Sequence, residues 1–161
     1  MTIHRWITLC GASLLFAGCS NRPSEEFRRD LKAFIEAGSR LTSLGQQGVN
    51  FSSYSDQLAT VKSRFDLIKD AWPKNYAGSA RTDFDEAINA WSGAHILRKK
   101  LVNGETYEYG KQRIAEMHTF YPILETEDDG EKLPLRKNVR ILLGEGSSRF
   151  EHGRSTIAGL K

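Results

Sequence analysis

An acidic segment in the last third of the chain has the residue types of a calcium-binding loop. In the twelve residues "ETEDDGEKLPLR", at positions 125–136, acids occupy the first, third and fifth places and glycine the sixth. Calcium also needs a bidentate glutamate at the twelfth place. That place holds Arg136, whose charge repels the ion, and Pro134 also falls inside the loop. We therefore predict a solvated acidic loop rather than a metal site.

Transition metals and haem have less support still. The histidines that follow residue 19 are His95, His118 and His152, and they lie in separate segments. No pair of them has the spacing of a zinc motif, and the Cys-x-x-Cys-His motif of covalent haem is missing from the sequence. We therefore predict that the protein holds no metal and no cofactor.

The sequence also lacks the common catalytic motifs. It contains no Gly-x-Ser-x-Gly segment, no phosphate-binding loop and no cysteine placed as a nucleophile. We interpret Asp83 and Glu86 as solvated charges on a helix surface. A concave cluster that included Tyr107, Glu116 or His118 would favour an enzyme, since catalytic residues distant in sequence can meet in a fold. Without such a cluster, we predict that the protein is not an enzyme.

His95 and the basic run after it each allow two interpretations. His95 follows Trp91 by one helical turn on an apolar face. A histidine charges near neutral pH and can act as a switch, but we favour a core or boundary histidine hydrogen-bonded to a neighbour. The run Arg98, Lys99 and Lys100 is either a patch for lipid headgroups or a complement to the negative end of a helix. We favour the second interpretation.

The N-terminus contains a short apolar segment that ends at a cysteine. Residues 7–17, "ITLCGASLLFA", are mostly apolar and follow a single basic residue, Arg5. A helix that spans a bilayer needs about 20 apolar residues, so this segment is too short to be one. A basic start, a short apolar core and a small-residue end are typical of a secretory signal.

The end of that segment, Phe16-Ala17-Gly18-Cys19, resembles a bacterial lipobox, although Phe16 replaces the usual leucine. The resemblance implies that the Cys19 sulfur is lipidated, that the chain is cleaved between Gly18 and Cys19, and that this lipid is the attachment to the membrane. It also implies export to the outer membrane of an enteric-type bacterium, with the protein on the periplasmic face, because Ser20 is not aspartate.

Cleavage there predicts three parts: a signal peptide at 1–18, a short tether at 19–23 and a helical bundle domain at 24–161. Loss of Arg5 with the signal lowers the net formal charge from +3 to +2. So small an excess gives no indication of a nucleic-acid partner. Cys10 leaves with the signal and Cys19 carries the lipid, so core packing without disulfides must stabilise the domain.

Apolar residues of the domain recur at alternating steps of three and four, which is the spacing of amphipathic helices. Ser24, followed by two glutamates, predicts the start of the first helix. The glycines of "GQQGVN", at 45–50, predict its end. The following three helices are predicted to end at Pro73, at Asn103-Gly104 and at Pro122.

We expect Ser79 or Thr82 to cap the third helix and Tyr107 to begin the apolar face of the fourth. The segment 122–134 is predicted to be the longest loop. No segment alternates with a period of two for long enough to predict a strand. Because short connections favour antiparallel neighbours, we predict an all-α, antiparallel up-and-down bundle of four long helices plus one shorter helix.

Two pairs of glycines lie seven residues apart on predicted helix faces: Gly38 with Gly45, and Gly146 with Gly153. Each costs about 1 kcal/mol relative to alanine in a helix interior. Such placement indicates close helix approach or room for tryptophan rings, or else an apolar groove that receives a partner or a lipid. We favour packing. The aromatic residues expected to share one core are Phe65, Trp72, Phe84 and Trp91.

The domain resembles the small all-helical envelope lipoproteins. In size and helical character it also resembles the pilotins, which escort secretins to the outer membrane. We therefore predict a non-enzymatic, lipid-anchored module that binds an envelope protein partner, with a pilotin-like escort as one version. A carrier of a small apolar ligand between the helices is the alternative. A sealed core would weaken the carrier, and an exposed apolar groove would favour partner binding.

Overall fold

The computed structural model describes residues 23–48 and 50–159. Gly18 and Cys19, and with them the predicted signal and its cleavage site, lie outside the described residues. Within the described part, the predicted all-α fold of four long helices and one shorter helix is confirmed. The elements are α1 (Glu25–Gln47), α2 (Phe51–Lys69), α3 (Gly78–Val102), β1 (Tyr107–Tyr109), α4 (Lys111–Phe120), a 3₁₀ turn (Asp128–Gly130), β2 (Lys132–Pro134) and α5 (Leu135–Ala158).

The boundaries of α1 lie where the sequence predicts them. The Ser24 side chain accepts a hydrogen bond from the Phe27 N–H at 3.1 Å. The helix ends at Gly48, whose φ of 67° is left-handed and therefore suits a residue without a Cβ. Two residues later Asn50 caps α2 by accepting a hydrogen bond from the Ser53 N–H at 2.8 Å.

The predicted cap of α3 is wrong. The helix begins at Gly78, after Ala77 with a φ of 41°, and neither Ser79 nor Thr82 caps it. Ala80, in the first turn of the helix, is fully buried, so this turn is packed against the core although no side chain caps it.

The short sheet is an element that the sequence did not predict. Strands β1 and β2 pair antiparallel, with Glu108 opposite Leu133, and Tyr107 therefore lies in a strand rather than in α4. Three residues are too few for alternation to be recognised. In addition, the inward-facing residue of β1 is a glutamate, Glu108, which is only 5% exposed.

The four long helices alternate in direction around a common core. Gly146 of α5 faces Trp91 of α3, and Gly153 faces Phe84. Residue numbers increase along α5 where they decrease along α3, so the two helices are antiparallel. Gly38 of α1 faces Phe150 of α5 and Gly45 faces Leu143, so these two helices are antiparallel as well.

Helix α2 contacts α1 through a hydrogen bond from the Gln57 side chain to the Ala37 carbonyl, and it contacts α3 through one from the Tyr54 hydroxyl to the Trp91 carbonyl. The long helices therefore follow the up-and-down order α1, α2, α3, α5.

Aromatic rings fill the space between these helices. The Phe34 ring centroid lies 4.9 Å from that of Phe84, 5.4 Å from that of Phe65 and 5.9 Å from that of Phe150. Trp91 packs 5.5 Å from Phe150 by the same measure. The predicted common core is therefore confirmed; its predicted members Phe65, Trp72, Phe84 and Trp91 all belong to one buried cluster.

Glycines on the helices leave the space that these aromatic rings occupy. A methyl group added to Gly146 would lie 2.5 Å from the Trp91 indole, and one added to Gly153 would lie 2.8 Å from the Phe84 ring. At Gly38 it would clash with the Phe150 ring. The packing interpretation of these three glycines is confirmed. Gly45 differs, because a methyl there would make only ordinary contact, 3.4 Å, with Leu143.

A second apolar cluster lies between the C-terminal half of α3, α4, the sheet and the N-terminal half of α5. Asn138 of α5 is fully buried beside it. Its side chain accepts a hydrogen bond from the Glu125 N–H and donates to the Glu125 and Pro134 carbonyls, at 2.7, 2.8 and 3.0 Å. The long connection between α4 and α5 is thereby fixed to the bundle. The cluster consists of Ala90, Ala94, Leu97, Ile114, Leu124, Leu133, Leu135, Val139 and Leu142.

Replacing Gly146 by alanine tests the packing of α3 against α5. We expect Gly146→Ala to lower the free energy of unfolding by about 1–3 kcal/mol, because the new methyl overpacks the core against Trp91. Gly144→Ala is the matched control on the same helix, since Gly144 is exposed and a methyl there meets nothing within 4 Å. We expect it to raise stability by up to about 1 kcal/mol through helix propensity. Urea unfolding of both variants measures the two free energies of unfolding. If both substitutions changed that free energy in the same direction, the result would contradict close packing at Gly146.

Candidate functional site

An open groove of about 890 Å³ lies where the C-terminal ends of α1 and α3 meet the N-terminal half of α5. We call this concavity the arginine groove. It is lined by Gly45, Gln46, Gly48, Arg98, Leu101, Arg136, Val139, Arg140, Leu143, Gly144 and Ser147.

The shape of the arginine groove follows from where the helices end and where side chains are missing. Helix α1 stops at Gly48, so no further turn covers this part of α5. Gly45 contributes no side chain to the wall, which leaves the Leu143 side chain partly exposed beneath it. Leu101, Val139 and Leu143 give the groove an apolar floor.

The charge around this floor has one sign. The lining contains the three arginines Arg98, Arg136 and Arg140, and it contains no aspartate or glutamate. Arg136 and Arg140 are exposed and lie one turn apart on α5. The groove therefore has a positive rim above an apolar base.

Arg98 is held in place by an aromatic ring. Its guanidinium carbon lies 5.0 Å from the centroid of the Tyr54 ring, within the range of a cation–π contact. The Tyr54 hydroxyl donates a hydrogen bond to the Trp91 carbonyl at 3.1 Å. Burial raises the pKa of Tyr54, so the ring stays uncharged beneath the cation.

A neighbouring concavity of about 650 Å³ continues the positive surface. It shares Leu101, Arg136 and Arg140 with the arginine groove. Its one acid, Glu125, forms an ion pair with Lys137, another of its lining residues. Across both concavities the positive charge is therefore in excess.

The arginine groove lies far from Ser24, the residue that caps the first helix. Helix α1 has 23 residues, which corresponds to a length of about 35 Å. Ser24 is at one end of this helix, and Gly45 and Gly48 are at the other. Ser24 and the groove are therefore at opposite ends of the bundle.

The carboxylates of the calcium-like loop do not converge on a common point. Glu125 is paired with Lys137, and Asp128 with Lys132 at 2.5 Å. Within residues 23–48 and 50–159, no three His, Cys, Asp or Glu side chains are placed to hold a metal ion.

His95 occupies a boundary position, as predicted, but not with the predicted hydrogen bond. Its ring is half-buried and stacks on Phe51 with a centroid separation of 4.8 Å. Its Nδ1 atom has no hydrogen-bond partner among the described residues. Burial lowers the pKa of His95, and the nearby charges of Lys99, Lys62 and Arg98 lower it further.

The basic run on α3 divides between two roles. Lys99 and Lys100 lie in the last turn of the helix, in accordance with the dipole interpretation. Lys100 also binds the buried Glu108 carboxylate at 2.5 Å, and Arg113 binds the same carboxylate at 3.0 Å. Only Arg98 of this run turns toward the arginine groove.

The interpretation of Asp83 as a solvated charge is wrong. Asp83 is only 6% exposed, and its carboxylate lies 2.8 Å from Nδ1 of His152 on α5. The sequence carried a signal for this, because Ala80 and Ala87 flank Asp83 at helical spacing and are themselves buried. No serine or threonine side chain among the described residues is hydrogen-bonded to the His152 ring, so the pair links two helices without forming a triad.

The three residues that would favour an enzyme are not brought together. Glu116 lines a concavity of about 300 Å³ beside α4. Tyr107 lines the concavity next to the arginine groove. His118 lines neither of these two. The arginine groove is therefore the site that the structure supports best. Sequence reasoning had singled out Gly45, Arg98 and Arg136 of its lining, each for a separate reason.

Comparison with protein-family models, with curated proteins and with solved structures finds no match to the chain. Among the helices of the described part, none combines the length and apolar character needed to cross a membrane.

The lowered pKa of His95 makes stability depend on pH. The pKa of His95 has its ordinary value of 6.5 in the unfolded chain and a lower value in the folded protein. At a pH between these two pKa values the unfolded chain binds more protons than the folded one. The free energy of unfolding therefore falls as the pH drops through this range. His95→Phe keeps the stacking on Phe51 and removes the titration. We expect urea unfolding between pH 7.5 and 5, as chosen test conditions, to show a smaller loss of stability in the variant than in the parent protein. An identical loss in both would show that His95 does not contribute.

Proposed function

We propose that the chain is a lipid-anchored, non-enzymatic helical lipoprotein of the bacterial envelope that binds a protein partner through the arginine groove. The observation that carries this proposal is the position of an open groove, with an apolar floor and a cationic rim, at the end of the bundle opposite Ser24, to which the predicted tether connects. A protein tethered through one end and open at the other can bind a partner while its lipid stays in the membrane.

The packing of the interior favours a partner over a carried ligand. Phe34, Phe84 and Phe150 fill the axis of the bundle and are each fully buried. The arginine groove, by contrast, lies on the surface and is open to solvent. A carrier of a small apolar molecule would need space between the helices, so we rank it second.

The reach of the tether restricts where such a partner can be. From Cys19 to Ser24 an extended chain spans at most about 17 Å, and the 23 residues of α1 add about 35 Å. The arginine groove would therefore operate within about 50 Å of the lipid. This distance fits a partner embedded in, or lying next to, the same membrane. A pilotin-like escort of a secretin would meet that condition.

The lipid anchor is tested at its cysteine. We expect Cys19→Ala to leave the precursor uncleaved and to abolish incorporation of radiolabelled palmitate, because the acceptor thiol is missing. Ser20→Ala is a neighbouring control that keeps the thiol and should still be labelled. Labelled Cys19→Ala protein would contradict the lipobox.

Partner binding is tested by cross-linking in cells. We expect benzoylphenylalanine in place of Gln46, on the rim of the arginine groove, to form a discrete adduct with an envelope protein after irradiation. The same residue in place of Ser63, which is exposed on α2, serves as control and should form none. The Gln46 adduct should be lost in the Cys19→Ala background, where the protein is not carried to its membrane. No adduct at Gln46, or the same adduct at Ser63, would contradict binding through the groove.

A further inference from the structure

We propose that the occupant of the arginine groove is an amphipathic helix with acidic residues beside its apolar face. This inference rests on the proposed function, and it names the chemistry of the partner at that same site. It follows from the charge, the apolar floor and the dimensions of the groove.

Two of the arginines of the groove lack an ion-pair partner among the described residues. These are Arg136 and Arg140 of α5, whereas other arginines of the same helix are paired. Arg149 binds Glu145 at 2.7 Å, and Arg154 binds Glu151 at 2.6 Å. Arginines that converge on a concave surface without acids are suited to bind carboxylates, since the guanidinium group can donate two parallel hydrogen bonds.

The two arginines also repel each other. Like charges at i and i+4 destabilise a helix. The residue one turn beyond Arg140 is Gly144, which offers no charge, so α5 itself does not relieve the repulsion. A carboxylate bound between Arg136 and Arg140 would do so.

The floor indicates that the occupant is apolar on one face. Leu101, Val139 and Leu143 lie between the charged side chains, and Ile141 extends the apolar surface into the neighbouring concavity. An amphipathic helix buries residues at i, i+3 or i+4, and i+7 in such a groove. Its flanking positions would then face the arginines.

The length of the groove fits a helix of a few turns. Its lining on α5 extends from Arg136 to Ser147, which is about 16 Å along the helix axis. About three turns of a docked helix cover that distance. A bilayer surface fits less well, because it does not enter a concavity and because the groove lies at the end away from the lipid anchor.

Binding of defined peptides to the lipidated full chain in phosphatidylcholine nanodiscs tests the inference. The probe is a fluorescein-labelled 18-residue amphipathic helix, a length of about 27 Å, with leucines on one face and glutamates at the flanks. The matched peptide has glutamines in place of the glutamates. We expect the glutamate peptide to bind at least about tenfold more tightly by fluorescence anisotropy, because each lost charge-assisted pair weakens binding.

Charge variants locate the binding. Arg136→Gln with Arg140→Gln should raise the Kd of the glutamate peptide by at least about tenfold. The control, Arg28→Gln with Arg64→Gln, removes the same charge from exposed positions on α1 and α2 and should leave the Kd within about twofold. Thermal unfolding of the control should match the parent protein, because both positions are exposed. Arg136→Gln with Arg140→Gln should unfold at the same or a slightly higher temperature, because it also removes the repulsion between the two arginines.

Each contrary outcome has a separate meaning. Equal binding of the two peptides, or equal effects of the two double variants, would overturn the acidic-helix inference. Displacement of the glutamate peptide by phosphatidylglycerol vesicles, and not by phosphatidylcholine vesicles, would also overturn it and indicate a headgroup site. A Gln46 adduct obtained alongside any of these results would leave the proposed function standing, whereas a missing adduct would contradict the proposed function whatever the peptides do.

Discussion

The contact between the Trp91 indole and the backbone of Gly146 is the constraint on which the other helix positions depend. It allows α3 and α5 to approach closely, and it puts Trp91 against Phe150. Phe150 in turn lies against Gly38, which brings α1 to the same point. Helix α2 joins through the hydrogen bond from the Tyr54 hydroxyl to the Trp91 carbonyl. One ring-to-backbone contact thus sets the spacing of the whole bundle.

The sequence predicted the helices well because burial of one face repeats at helical spacing, and that spacing is local. Prediction from the sequence failed at polar residues whose burial depends on ion pairs or hydrogen bonds with residues distant in the chain. Glu108 is an inward strand residue because Lys100 and Arg113 neutralise it. Asp83 lies in the interior because His152, far along the chain, meets it. No local pattern reveals the burial of Glu108, because its strand has only three residues. At Asp83 the one local signal is the pair of alanines, Ala80 and Ala87, that flank it at helical spacing.

The arginine groove was predictable only in fragments. Arg98 was noted as part of a basic run and Gly45 as one of a spaced pair, whereas Arg136 served only to argue against calcium. Their convergence depends on where α1 stops relative to the start of α5. That register is set by ring packing in the core, at Gly38 and Gly146, and neither the termination signals nor the charges indicate it.

The position of Arg98 over Tyr54 has a consequence for the entropy of binding. An exposed arginine must give up rotamer freedom when it is immobilised in a complex, at a cost of about 0.5–1.5 kcal/mol. Arg98 is already ordered by a ring whose hydroxyl is bonded to the core. Part of this cost is therefore met when the chain folds, before any partner arrives. The groove thus combines one preorganised cation with two exposed ones, Arg136 and Arg140, whose rotamer freedom would be lost only on binding.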